Sequence, residues 1–139
     1  MATSTTTHVI FPWLEKYSVG IEQIDAQHKG LVRLINDLHA AMIAGQGSQN
    51  IGKILDELVH YTEEHFSYEE NMLRERNFSR LIGHQLEHKR LTGQVVELRE
   101  KYRNNSITLT MEVMRFLKDW LANHIMGHDQ KYAAELRAQ

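Results

Sequence analysis

Apolar residues recur along most of the chain at alternating steps of four and three, the spacing that gathers side chains on one face of an α-helix. The first run is Ile24, His28, Leu31, Ile35, Leu38 and Met42, and the second is Ile51, Leu55, Leu58, Thr62, His65, Glu69 and Met72. A third reads Leu81, His84, His88, Leu91, Val95, Leu98 and Tyr102, and a fourth Val113, Leu117, Trp120 and His124. Apart from the lone proline, Pro12, near the N-terminus, helix breakers are confined to "AGQGSQN" (44–50), "RNFS" (76–79) and "RNNSIT" (103–108). The pattern predicts helices over 21–44, 50–75, 79–103 and 108–135. Long helices with short connections pack as antiparallel neighbours, so the expected fold is all-α, an up-down-up-down four-helix bundle. An N-terminal arm, "HVIFPWLEKYSVG" (8–20), is apolar enough to lie against it, whereas "MATSTTT" (1–7) is small, polar and expected to be disordered. The expected division is a flexible tail over 1–12 and a single domain over 13–139.

Five histidines and one glutamate interrupt these runs where the periodicity demands apolar residues. Buried polar groups cost several kcal/mol unless a partner satisfies them. Their heights agree: His28 opens the first helix, His65 and Glu69 close the second, His84 and His88 open the third, and His124 closes the fourth. In an up-down-up-down bundle those four regions lie at one end. Independent core histidines have no reason to share a level.

Composition narrows what this layer is for. The chain of 139 residues suffices for one domain with a proper core, and its 42% hydrophobic and 24% charged content is ordinary for a globular protein. A formal net charge of −2 offers no basic field to nucleic acid or anionic lipid. No apolar run approaches the roughly 18 residues of a membrane span, and no secretion signal opens the chain, so a cytoplasmic location and no membrane insertion are expected. With no cysteine, thiolate sites and disulfides are excluded. Imidazole nitrogens and carboxylate oxygens without thiolates suit iron, manganese or zinc. Asp129 follows closely on His124, making seven donors, too many for one octahedral ion that must also take a substrate. Two ions bridged by Glu69 and Asp129 accommodate them all, three imidazoles on one and two on the other, which leaves one position open.

The stretch "WLANHIMGHDQKY" (120–132) fits a helix badly, because Asp129 lies five residues after His124 and a regular step would place Gly127 or His128 inward. Either an inserted residue, a π-bulge of the kind common at functional sites, turns Asp129 inward, or the helix loosens at Gly127. His128 is the competitor for the position. Asp129 is preferred because a second carboxylate balances the metal charge better.

Together "IDAQHKGL" (24–31), "HFSYEE" (65–70), "HQLEH" (84–88) and "HIMGHD" (124–129) resemble the hemerythrin family in its bacterial single-domain form, over Trp13 to Tyr132. All seven ligand positions of that pattern are filled. The resemblance implies a non-haem di-iron centre, with two iron ions (Fe2+/Fe3+), an oxo or hydroxo bridge and reversible O2 binding. It implies that His84, His88 and His124 cap one iron, His28 and His65 the other, and that Glu69 and Asp129 bridge. A dry apolar pocket would shield the oxygen, with Leu121 and Ile125 as its candidate wall and Trp13 and Trp120 as neighbours.

The expected role is oxygen carriage, storage or delivery to an oxygen-consuming enzyme, and the chain is not expected to be an enzyme. Oxygen or redox sensing, or an oxidase or peroxidase activity at the same site, are the alternatives. An oxidase of the carboxylate-rich class would use Glu-x-x-His on two helices, and only Glu57 with His60 offers that pair. A monomer is favoured, though no exposed stripe decides the assembly. His39, about three turns from His28, and His60 are expected to lie outside the cluster, His8 in solvent, and Glu70 in solvent or just behind the ligands.

Overall fold

The computed structural model describes residues 9–139, so the polar start and His8 lie outside the described residues. Four long helical rods form the bundle. They are α1 (Glu22–Ile43), α2 (Ser48–Glu75), α3 (Leu81–Arg103) and a last rod made of α4 (Met111–Asn123), a π-helical stretch (His124–Asp129) and α5 (Gln130–Arg137). α1 packs against α2 and α4, and α2 against α3. Among the described residues there is no strand, and no helix is long and apolar enough to cross a membrane.

Each of the first three helices ends in the same way. Gly45, Asn77 and Asn105 adopt left-handed backbone, with φ of 68°, 56° and 59°. The amide of the residue that follows each one reaches back five residues: Gln46 to Ala41, Phe78 to Leu73 and Ser106 to Lys101. This hydrogen-bonded stop needs a residue tolerant of positive φ, and glycine and asparagine are the two that supply it. The breaker stretches read from the sequence are these stops. The fourth rod starts later than its periodicity suggested, at Met111, because the Thr110 hydroxyl accepts from the amide of Val113 and fixes the first turn there.

The inward stripes are buried as the periodicity implies. Leu31, Ile35 and Leu38 from α1 meet Leu55 and Leu58 from α2, Leu91 and Val95 from α3, and Met114 and Leu117 from α4, while Ile24 packs in a second cluster with Leu73, Phe78, Tyr132 and Leu136. Trp120 ties the last rod to α3 by donating its indole N–H to the Leu91 carbonyl at 3.1 Å.

The arm is part of this packing. Phe11 is fully buried, and its N–H and C=O pair reciprocally with the side-chain amide of Asn36, both at 2.9 Å. The arm therefore docks before Pro12, ahead of the domain start expected at Trp13. A short 3-10 turn at Glu15–Tyr17 buries Tyr17 against Phe11. Asp25 then accepts from Ser18 Oγ and from the Val19 amide, fastening the arm to the first turn of α1. Phe11→Ala leaves a cavity under this strap, and losses of about 3–5 kcal/mol are usual for a buried phenylalanine. Chemical denaturation should show a loss in that range, and a loss under about 1 kcal/mol would mean the arm does not belong to the core.

Candidate metal centre

One end of the bundle holds His28, His65, Glu69, His84, His88, His124 and Asp129, none more than 3% exposed. They come from all four rods, and all but Asp129 sit on inward stripes for the same reason as the leucines beside them. The heights read from the sequence place them in one layer, and the structure brings all seven together.

The carboxylate oxygens sort the imidazoles into two groups. Glu69 Oε1 faces the Nε2 atoms of His84, His88 and His124 at 2.8, 2.9 and 3.8 Å. Glu69 Oε2 faces those of His65 and His28 at 3.4 and 3.6 Å. Asp129 divides the same way, with Oδ1 toward His124 and His84 at 3.0 and 3.2 Å and Oδ2 toward His28 at 3.0 Å. Two sets of donor atoms result, each with every member within 4.8 Å of the others. One is His84, His88 and His124 with both carboxylates, and the other is His28 and His65 with both carboxylates.

Asp129 reaches this layer through the π-helical stretch His124–Asp129. The backbone stays right-handed helical at Asn123, His124, Asp129 and Gln130, so the rod continues while its register shifts by one residue. Of the two readings of this segment, the π-bulge is the one found. His128 turns outward and meets Glu87 at 3.3 Å. Gly127 is exposed, and a Cβ there would meet nothing.

Side chains around the cluster orient it. His65 Nδ1 lies 2.6 Å from Gln27 Oε1 and His88 Nδ1 2.7 Å from Glu70 Oε2. Each contact fixes the tautomer with the proton on Nδ1 and leaves Nε2 a bare donor facing inward. The Tyr132 hydroxyl donates to Glu69 Oε2 at 2.9 Å. The Phe66 ring stacks on His88 at 3.8 Å and lies 5.3 Å from His124 and 5.7 Å from His65. Glu70 had been expected either here or in solvent, but Gln27 and Phe66 had not been singled out. Tyr132 is fully buried and lies within the layer. Phe66 and Gln27 each neighbour a ligand-type histidine in sequence, which is the only signal that pointed to them.

Leu121 and Ile125 are fully buried in the apolar cluster that includes Phe66 and Trp120. Trp13 sits in the arm, 5.6 Å from Tyr17 and beneath the Lys29 ammonium. His39 is half-buried, and His60 is exposed and paired with Glu64.

Electrostatics in the layer are dominated by mutual compensation. Burial disfavours protonation of His28, His84 and His124, but the Asp129 and Glu69 carboxylates beside them outweigh it and raise each to about 9. His65 goes the other way, lowered by burial despite Glu69. Burial pushes the carboxyls up, yet the surrounding imidazoles, His65 foremost at Glu69 and His124 at Asp129, hold both well below the usual range. The Tyr132 phenol is driven far upward, first by burial and then by Glu69 and Asp129, so it remains a donor.

A cation fits this arrangement on the structure's own terms. Buried Nε2 atoms of His28, His65, His88 and His124 and both Asp129 oxygens have no hydrogen-bond partner, and lone pairs of these types are what a borderline cation takes.

The chain is similar to known proteins. The family profile described as the hemerythrin HHE cation binding domain matches residues 19–136. A bacteriohemerythrin of Stenotrophomonas maltophilia is 32% identical over 126 residues, covering 91% of this chain and 81% of its own. A myohemerythrin of Theromyzon tessulatum is 31% identical over 126 residues, covering 91% and 93%. A crystal structure of wild-type hemerythrin superposes with a TM-score of 0.82 at 30% identity, covering 91% of this chain and 98% of that one.

The raised imidazoles predict a pH signature for the metal-free protein. A histidine raised from 6.5 to about 9 stabilises the fold fully below pH 6.5, and that contribution is lost as pH rises through 9. His65, being lowered, titrates below that window. The thermal midpoint of the metal-free protein should therefore fall between about pH 6.5 and 9.5, while a cation-loaded sample stays level or gains. A metal-free midpoint that climbs across this window would contradict the compensation described.

Proposed function

The chain belongs to the hemerythrin family, and from that premise we propose that it holds two iron ions and binds dioxygen reversibly, as a carrier, store or donor of oxygen to an oxygen-consuming enzyme. The observation that carries this reading is the division of each carboxylate, one oxygen toward the three-histidine group and the other toward the two-histidine group. A single-ion site has no use for two carboxylates that each face both ways. In this reading His84, His88 and His124 hold one iron, His28 and His65 the other, and Glu69 and Asp129 join them. An iron pair bound there would supply, through Fe2+/Fe3+ cycling, the two electrons that capture of dioxygen takes up and its release returns.

The protein's own side chains do the rest. Gln27 and Glu70 keep the Nε2 atoms of His65 and His88 aimed inward. Tyr132 holds Glu69 in its bridging pose through a hydroxyl that stays protonated. Five imidazoles give a donor set that tolerates both ferrous and ferric iron. Leu121 and Ile125, with Phe66 beside them, form the apolar wall of the open position and limit loss of oxygen in reduced form. The alternative Glu-x-x-His pair is exposed at Glu57 and His60, which does not favour the carboxylate-rich oxidase reading. The domain is read as one unit running from the arm through α5.

Purified protein reconstituted with ferrous iron without air should hold two irons per chain and be nearly colourless. In air it should gain visible absorption and lose it again under vacuum, cycle after cycle. Irreversible colouring in the first exposure would count against reversible binding. Glu69→Ala and His84→Ala should each lower bound iron well below two per chain, and elemental analysis finding two irons in both variants would remove these residues from the ligand set.

A further inference from the structure

Ten buried side-chain nitrogen or oxygen atoms among the described residues lack a hydrogen-bond partner. Eight of them belong to His28, His65, His88, His124 and Asp129, within the cluster already described. Of the remaining two, the Trp13 indole N–H belongs to a half-buried arm residue. The other is the hydroxyl of Thr62, a residue with no exposed surface at all.

A threonine inside a helix ordinarily turns its hydroxyl to the carbonyl one turn back. Thr62 makes no such bond, and a buried donor left without an acceptor is rare and destabilising. Its place explains what could satisfy it. Thr62 follows Leu55 and Leu58 on the inward stripe of α2 and precedes His65 and Glu69, all of them buried. Residues three and four apart on a helix are neighbours, so Thr62 lies one turn before both His65 and Phe66 on that face. It is a lone polar residue between Leu58 of the apolar core and His65, a member of the two-histidine group, on the buried face of α2.

We propose that the Thr62 hydroxyl donates a hydrogen bond to the small exogenous molecule held beside His28 and His65. With no other ligand present that molecule is a single water. When a linear ligand such as dioxygen or azide is bound, the acceptor is its outer atom. Thr62 is then the polar anchor in a pocket whose other walls are apolar, and it sets how long an acceptor ligand stays. The water part stands on the orphaned hydroxyl alone, and the ligand part rests on the di-iron reading above.

The test uses the intact protein and three variants. Thr62→Val keeps the shape and removes the hydroxyl, Thr62→Ala is a second hydroxyl-free variant should valine fail to fold, and Thr62→Ser keeps the donor. Iron content and the air–vacuum cycle are measured first. A wild-type protein that holds no iron pair defeats the di-iron reading and not the water site. With iron loaded equally, oxygen and azide release followed by stopped-flow should be about ten-fold faster in Thr62→Val, as expected for a lost hydrogen bond to a ligand carrying negative charge, and near wild type in Thr62→Ser. A crystal structure of the zinc-loaded protein, which needs no oxygen chemistry, should show one water within hydrogen-bond distance of Thr62 Oγ1 that is missing in Thr62→Val. Unchanged release rates in both hydroxyl-free variants would overturn the ligand role. A wild-type structure with the hydroxyl turned to the Leu58 carbonyl and no water beside it would overturn the water site.

Discussion

Seven polar donors share one layer, and none of them is more than 3% exposed. Two of them are carboxylates with no exposed surface, and five are imidazoles crowded within a few ångströms of those carboxylates. A buried charge survives only when an opposite charge or a cation sits against it. Without metal the layer meets this by taking protons onto His28, His84 and His124 while Glu69 and Asp129 stay ionised. A cation meets the same need better, because it also satisfies Nε2 atoms and Asp129 oxygens that find no hydrogen bond in the protein. The need to neutralise this layer is the constraint from which the rest follows.

It sets the architecture on both sides. The donors come from four separate rods, so the rods must hold their relative heights, and the long apolar seams below the layer provide that. Identical hydrogen-bonded stops at Gly45, Asn77 and Asn105 end three helices at defined lengths. The strap from Phe11 to Asp25 clamps the arm onto α1, just ahead of His28. At the one place where a regular helix would aim the wrong side chain inward, the chain adopts a π-helical turn, a poorer hydrogen-bond geometry accepted where it places Asp129. Local backbone regularity yields to the electrostatics of the layer.

Most of this was legible in the order of residues. Periodicity of 3.6 exposes any polar residue on an apolar stripe, so His28, His65, Glu69, His84, His88 and His124 stood out at once, and their shared height followed from topology. Asp129 was readable only as a misfit, since spacing alone left both a bulge and a loosened helix open. The surrounding shell was harder. Gln27 and Phe66 directly neighbour cluster histidines in sequence and Glu70 neighbours Glu69, so a helical stripe does not mark them, and which of them reaches across to another rod is decided by three-dimensional packing. Tyr132 lies beyond the π-helical turn, where the shifted register had erased the stripe. Phe11 sits ahead of the lone proline in a segment without periodicity, so nothing in spacing separated it from the tail.

The central claim is that two cations, and not one, bridge the gap between these imidazoles. Anomalous diffraction from an iron-loaded crystal at the iron absorption edge tests it most directly. Two peaks are predicted, one among His84, His88 and His124 and the other beside His28 and His65, with Glu69 and Asp129 each touching both. A single peak between the carboxylates, or iron bound anywhere else in the bundle, would contradict it.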